Sequence, residues 1–327
     1  MKYVNLPEKF PGQRLAFYLA MEEYLAHNMQ GEFFFMWQVQ PTVICGRNQD
    51  IAKEVNQTFC EDHNIEVVRR KSGGGCVYAN PGNIMFSYIT SGSNVQDIFA
   101  KYTASVAKML RSLGLDAEAS GRNDVLIEGK KVSGNAFYHL HGRNIIHGTM
   151  LYDTNYAHLL QAITPQKSKL QSKQVKSVES RVTTLSQYID MGIDAFMSYA
   201  RNYMCDEGDI TLTDNDISRI KEIEDTYYLP EWLAGKKIKN PYLEFSAYFE
   251  GIGSIMASIA LDNGKISDIE LEGDYLELQS PNDKLLPCLV GVEYDSDAIS
   301  AALTNSNIDV SEIIAKMSNE NFVKLIS

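Results

Sequence analysis

The chain has 327 residues and a net charge of −12, which argues against general nucleic-acid binding, because that activity leaves a basic footprint. No run of eighteen apolar residues is present to span a membrane, and Met1 to Phe10 lacks the apolar core of a signal peptide, so a cytoplasmic location is expected. Cys45, Cys60, Cys76, Cys205 and Cys288 show neither CxxC nor Cys/His spacing, which predicts free thiols in place of a disulfide framework or a zinc site.

In chain order, Gln13–Asn28 predicts a helix with a mainly apolar face, followed by strands Phe33–Val39 and Thr42–Cys45 around the Pro41 turn. Ile51–Asn64 reads as one helix and Ile65–Arg69 as a short strand. Ser72-Gly73-Gly74-Gly75 then leads to apolar stretches Cys76–Tyr78 and Ile84–Ile89, which Asn80-Pro81-Gly82-Asn83 separates as a turn. Asn94–Leu113 predicts a long helix stopped by Gly114. Asp124–Glu128, Lys131–Leu140 and Asn144–Asp153 predict three antiparallel strands, turned at Gly129 and at His141–Asn144. Residues 164–182 are polar and lysine-rich, and a loop of that length inside a domain is usually functional or disordered.

Helices are expected near Ile193–Cys205 and Thr213–Thr226, and a break between Leu233 and Pro241 divides the chain into domains 1–240 and 241–327. The second domain reads as strands Tyr242–Glu250, Ser254–Leu261 and Ile266–Leu271 with helices Ser296–Leu303 and Val310–Met317. That is a small α+β unit.

Three consecutive glycines between two apolar strands let the backbone reach positive φ and bring its amides close to a ligand. Arg70 beside them could anchor a carboxylate or phosphate; a glycine-rich hairpin with solvated arginines is the plainer reading. The pattern is neither a GxxxxGK[ST] P-loop nor a GxGxxG dinucleotide fingerprint. A second segment, Gly121-Arg122-Asn123-Asp124 and then Gly129-Lys130-Lys131-Val132-Ser133-Gly134, repeats the theme. If a strand begins at Lys131, then Lys131 and Ser133 share a face. The lysine could offset charge on an α-phosphate and Asp124 could hold magnesium, although Gly-Lys-Lys is also ordinary turn composition. His147, within an apolar strand, is more often a satisfied core residue than a catalyst.

Taken together and in order, Pro41–Arg47, Arg69–Tyr78 with Pro81-Gly82-Asn83, Gly121–Asp124, Gly129–Gly134, His147-Gly148-Thr149 and Ser177–Thr183 resemble the motifs of the lipoate–protein ligase A family, within the biotin/lipoate protein ligase superfamily. The resemblance implies an α+β fold: a large catalytic domain on a mixed, mainly antiparallel sheet, plus a small C-terminal α+β accessory domain. It implies a reaction in which lipoate attacks the α-phosphate of ATP, giving lipoyl-AMP and pyrophosphate, with Mg2+ as the metal. A lysine of a lipoyl-domain protein (a 2-oxoacid dehydrogenase E2 subunit or the glycine-cleavage H protein) then takes the acyl group. No nucleic acid or membrane partner is implied.

By the same resemblance Lys131 is catalytic, contacting the acyl carbonyl and the α-phosphate, and Asp124 lies near the metal. The lipoate and ATP sites are implied to draw on Arg70, Ser72, Gly73, Gly74, Gly75, Cys76, Val77, Tyr78, Asn83, Asn123, Ser133, Gly134, His147, Gly148, Thr149 and Arg181, with 164–182 closing over the adenylate. The sequence departs from the family at Ala79-Asn80, where His-Asp is usual, at Ile146, where a second histidine is usual, and at Cys76, where alanine is usual. Two other readings stay open: a lipoyl or octanoyl transferase using a cysteine thioester without ATP, and a non-catalytic lipoyl-adenylate-binding protein.

Overall fold

The computed structural model describes residues 1–92, 94–120, 123–140, 142–154, 156–163, 181–235 and 243–327. The chain groups into two compact units. Met1–Cys45, Ile51–Arg70 and Cys76–Leu233 form the first, while Gly46–Asp50, Lys71–Gly75 and Ala234–Ser327 form the second. The boundary expected at 240/241 lies outside the described residues.

In the first unit the strands are β1 (Lys2–Asn5), β2 (Phe33–Trp37), β3 (Thr42–Cys45), β4 (Glu66–Arg69), β5 (Val77–Ala79), β6 (Asn83–Ser91), β7 (Ala117–Ala119), β8 (Asp124–Ile127), β9 (Lys130–Leu140), β10 (Arg143–Leu151) and β11 (Asp209–Thr211). Eight of them make one sheet in the order β11-β1-β2-β6-β10-β9-β8-β7. It is antiparallel except where β1 runs parallel to β2 and β11. A second, three-stranded sheet runs β4-β3-β5.

Helix α1 (Leu15–Asn28) is buried from Leu15 to Ala26, Glu22 and Glu23 included. It has no polar face because it meets the large sheet on one side and α7 (Asp214–Thr226) on the other. Helix α4 (Val95–Arg111) is amphipathic, burying Phe99, Tyr102, Val106, Met109 and Leu110. Leu113 is followed by Gly114 in the left-handed region, φ +84°, which ends the helix as expected.

One helix expected over Ile51–Asn64 is two short ones, α2 (Ile51–Glu54) and α3 (Gln57–Asp62). Val55 still donates to Ile51 O but bridges Ile163, the Asn56 amide turns to Ala162 O at 2.9 Å, and the Asn56 side chain caps α3 by accepting from the Phe59 amide. Three more helices lie among the described residues: α5 (Tyr156–Ala162), α6 (Ile193–Met204) and α8 (Pro230–Ala234).

The second unit carries the antiparallel sheet β12 (Leu243–Phe249), β13 (Gly253–Asp262) and β14 (Lys265–Gly273) with α9 (Ser296–Asn305) and α10 (Asn319–Ile326). Its core gathers Ile255, Ile259, Ile266, Leu289, Ile299, Ile314 and Phe322. The helix expected over Val310–Met317 is only a 3-10 turn at Val310–Glu312. The terminal helix lies beyond it, capped by Ser318.

Candidate active site

The expected site residues fall on three supports. The first is the middle of the large sheet. Gly134 of β9 stands opposite Thr149 of β10, which stands opposite Met85 of β6, and Asp124 of β8 is opposite Gly134 from the other side. Directly opposed residues share a face, so this row points towards α1. Two residues along, Ala136, His147 and Ser87 repeat that face.

Lys131 joins this face through an irregularity. The β8–β9 register slips between Val125 and Leu126, so that Val125 pairs Ser133 but Leu126 pairs Lys131. The extra residue, Val132, resets the alternation. The Lys131 side chain therefore lies over Gly134: a Cβ added there would meet both Cε and Nζ at 2.7 Å. Its ammonium sits 2.7 Å from Asp124 Oδ1, with both side chains partly open to solvent. Ser133 faces the other way, which corrects the expectation that Lys131 and Ser133 share a face. The Lys131 backbone is fixed on its free side too, donating to Arg181 O and accepting from Thr183 N, both at 2.8 Å. The Arg181 side chain itself is exposed.

On the opposite face Ser133 Oγ accepts from Asn135 Nδ2 at 3.2 Å, and Asn135 Nδ2 also donates to Asn123 O at 3.1 Å. Asn123 Nδ2 returns a bond to Asn135 O at 2.9 Å. Gly148 is bare because Asn135 occupies its place: an added Cβ would lie 2.0 Å from Asn135 Oδ1. Asn135 was not among the expected residues. A polar residue in a buried strand opposite a glycine is the signal that could have found it.

His147 is buried, with Nδ1 2.8 Å from Glu22 Oε2 of α1. Glu22 Oε1 accepts from Ser87 Oγ at 2.5 Å, and Ser87 Oγ accepts from Trp37 Nε1 at 2.9 Å. This interior network lets α1 bury an acidic residue against the sheet. Asn83, at the head of β6, is fully buried, yet among the described residues neither its Oδ1 nor its Nδ2 has a hydrogen-bond partner. An unpaired buried amide costs about 1–3 kcal/mol, and Asn83 lies on the same face of β6 as Met85 and Ser87.

The second support is the small sheet. Arg70 follows β4; its amide donates to Cys45 O at 2.9 Å and Nη1 donates to Ile44 O at 3.0 Å. Burial pulls its pKa down to about 10. Cys76 and Val77 are half-buried, and buried Tyr78 brings its hydroxyl 3.4 Å from His158 Nδ1.

The third support is the second unit, which contains Ser72 to Gly75. Ser72 is buried and its carbonyl accepts from the Arg47 amide at 2.9 Å. Gly74, with φ +89°, donates its amide to Tyr275 O at 3.0 Å. A Cβ on Gly73 would lie 2.5 Å from that same carbonyl. Asn48 Nδ2 donates to Glu277 Oε1 at 2.9 Å, and Arg47 Nη1 is 3.7 Å from Glu277 Oε2.

Comparison with known proteins decides the family. Residues 14–204 match the model for the lipoyl protein ligase A/B catalytic domain, and residues 242–326 match that for the bacterial lipoate protein ligase C-terminus. Lipoate-protein ligase LplJ of Bacillus subtilis is 33% identical over 321 residues, covering 94% of this chain and 95% of its own. The chain belongs to the lipoyl protein ligase A/B family. Among solved structures, Plasmodium falciparum LipL1 in complex with lipoate superposes with a TM-score of 0.75 at 18% identity, covering 99% of this chain and 97% of its own. A bi-partite lipoate protein ligase described with its E2 lipoyl domain, from Thermoplasma acidophilum, gives 0.64 at 26% identity over 73% of this chain and 98% of its own.

Family membership bears out the expected α+β architecture, with a large sheet-based catalytic region followed by a small C-terminal domain. No helix among the described residues is long and apolar enough to cross a membrane. Nor do the described residues contain a cluster of three or more His, Cys, Asp or Glu side chains suited to a metal. A lone carboxylate such as Asp124 nevertheless fits magnesium, which keeps its waters and is commonly held by one or two carboxylates plus substrate phosphates. Residues 164–180 of the expected closing loop lie outside the described residues.

Proposed function

We propose that this ligase activates lipoate with ATP and passes the lipoyl group to a lysine of lipoyl-domain proteins in the cytoplasm, the E2 subunits and H protein being the acceptors. The observation that carries the reading is the Lys131 ammonium, lodged over Gly134 and beside Asp124 by a strand fixed on both edges. An acyl-adenylate reaction needs a cation where charge accumulates on the α-phosphate, and it needs no covalent nucleophile on the enzyme. Asp124, 2.7 Å from the ammonium, holds it in position until a phosphate competes for it. Magnesium, held by Asp124 and the nucleotide, would supply further neutralisation of phosphate charge. Asn83, buried and unpaired among the described residues, offers its amide N–H groups and its carbonyl oxygen to a polar group of a bound substrate. Arg70 and the backbone amides of Cys76, Val77 and Tyr78 serve the lipoate side.

The thioester reading is disfavoured by chemistry. Cys76 donates its S–H to Cys45 Sγ, and this bond together with burial pushes the Cys76 pKa up. A nucleophilic thiol needs the opposite shift. Incubation of a lipoyl domain with the protein, lipoate and Mg-ATP should add one lipoyl mass to the domain and release pyrophosphate. Labelling that proceeds without ATP would instead establish a transferase. Binding of lipoate and ATP without pyrophosphate release would establish a binding protein.

A further inference from the structure

Cys45 and Cys76 lie 31 positions apart in the sequence, but their sulfurs are 3.3 Å apart. The β3–β5 pairing explains why. Thr42 opposes Ala79, Val43 opposes Tyr78 and Ile44 opposes Val77, and the same register carried one step further sets Cys45 against Cys76. Both side chains point into one small apolar cluster with Val43, Tyr78 and Cys60. Cys45 is fully buried on the central strand, whereas Cys76 is half-buried immediately before the outer one.

We infer that Cys45 and Cys76 form a redox-modifiable pair, which a hydroperoxide converts to an intrachain disulfide. Sulfur–sulfur contact at 3.3 Å must shorten to about 2.05 Å, a movement small enough for the outer strand to supply. The charge distribution assists. The Cys76 S–H donates to Cys45, and the guanidinium groups of Arg69 and Arg70 add positive potential, so Cys45 ionises more readily than an ordinary thiol despite its burial.

The chemistry balances with hydrogen peroxide as oxidant. The Cys45 thiolate attacks one peroxide oxygen, the O–O bond breaks, and the departing hydroxide takes up a proton as water. Oxidation removes the Cys45 thiolate whose hydrogen bond and charge hold the Cys76 proton, and the Cys76 sulfur then attacks the Cys45 sulfenic acid. The S–S bond forms, the S–O bond breaks, and the Cys76 proton leaves with that oxygen as a second water. Two thiols have then lost two electrons and two protons, and one peroxide has become two waters.

The position gives the bridge a consequence. Cys45 precedes the segment Gly46–Asp50, and Cys76 follows the segment Lys71–Gly75. A disulfide would tie the roots of both segments together and shift the start of β5, where Val77 and Tyr78 lie. The effect on catalysis rests on the proposed ligase reading; formation of the bridge does not. A displacement near 1 Å at a substrate-positioning strand is expected to lower turnover about tenfold or more.

The full-length reduced protein should be treated with hydrogen peroxide, and then alkylated and digested. A peptide pair linking Cys45 to Cys76, lighter by two hydrogens and restored by dithiothreitol, is the expected product. Cys45→Ala should abolish that linked pair and should retain its own untreated rate after peroxide. Cys76→Ala, read by mass alone, guards against misfolding of the first variant. Full alkylation of both thiols after peroxide, or a bridge from either to Cys60, would overturn the pair. A bridge that forms with no change in lipoylation rate would overturn its coupling to the site. A reduced protein that lipoylates nothing would count against the ligase reading and leave the mapping of the bridge decisive.

Discussion

Gly134 and Gly73 both lie in segments whose bare backbone suggests room for a ligand, yet their surroundings differ in kind. Beside Gly134 the space is filled by the far end of Lys131, 2.7 Å from where a Cβ would stand. Beside Gly73 it is filled by a backbone carbonyl, that of Tyr275, at 2.5 Å. A flexible amine can be pushed aside by a substituent or drawn away by a phosphate. A main-chain carbonyl that already accepts the Gly74 amide has nowhere to go. Glycine in a motif thus reports that the backbone must stay bare, and the neighbour determines whether the reason is chemistry or packing.

Removing the amine itself should have the largest effect. Lys131→Ala is expected to cut lipoate-dependent pyrophosphate release by about 10²–10³-fold, in line with loss of one preorganised charge donor. Its thermal unfolding should stay close to that of the wild type, because a partly exposed ion pair contributes little to stability. Undiminished pyrophosphate release would detach Lys131 from the reaction.

Substituting the glycines probes the comparison directly. Gly73→Ala should destabilise the protein by about 1–3 kcal/mol through overpacking against a fixed carbonyl, seen as a lower denaturation midpoint. Gly134→Ala should leave that midpoint within about 1 kcal/mol of the wild type, since only a side-chain end must move. The same change should slow adenylation by displacing the amine from Asp124. The reverse pattern, a stable Gly73→Ala and an unfolded Gly134→Ala, would show that the two neighbours had been assigned the wrong rigidity.

Local pattern made most of the large sheet legible. Alternation and turn residues placed β6, β9 and β10 to within a few residues, and Lys131, Gly134 and Asp124 came with them. What escaped was set by tertiary pairing. Val310, Ile313, Ile314 and Met317 carry helical spacing, but Ile314 bridges Glu277 and Ile313 O accepts from Leu278 N, so the chain turns once and extends. Ile51–Asn64 broke for the same reason when Val55 found Ile163. The slip at Val125 and Leu126 could not be read from β9 alone, because a bulge belongs to a pair of strands. Burial of His147 against Glu22, and the meeting of Cys45 with Cys76, likewise needed elements far apart in sequence.

The smallest effect concerns the acid that holds the Gly73 side of the comparison. Glu277 is buried beside Arg47 and Asn48, with Asp283 adding negative potential. Burial raises its pKa above the ordinary 4.5, and the Arg47 charge and the Asn48 hydrogen bond only partly offset this. The native carboxyl therefore keeps its proton to a higher pH than the unfolded one, so stability drains away as pH rises from about 4.5 through the native pKa. Glu277→Gln, which retains an acceptor for Asn48 but never ionises, removes that loss. Melting temperatures of the two proteins, compared from pH 4.5 to 8, should shift in favour of the variant as pH rises from about 4.5 and level off above the native pKa. Should the wild type gain on the variant across that window, the ion pair with Arg47 outweighs burial, and the Gly73 segment is held by charge as well as by its backbone.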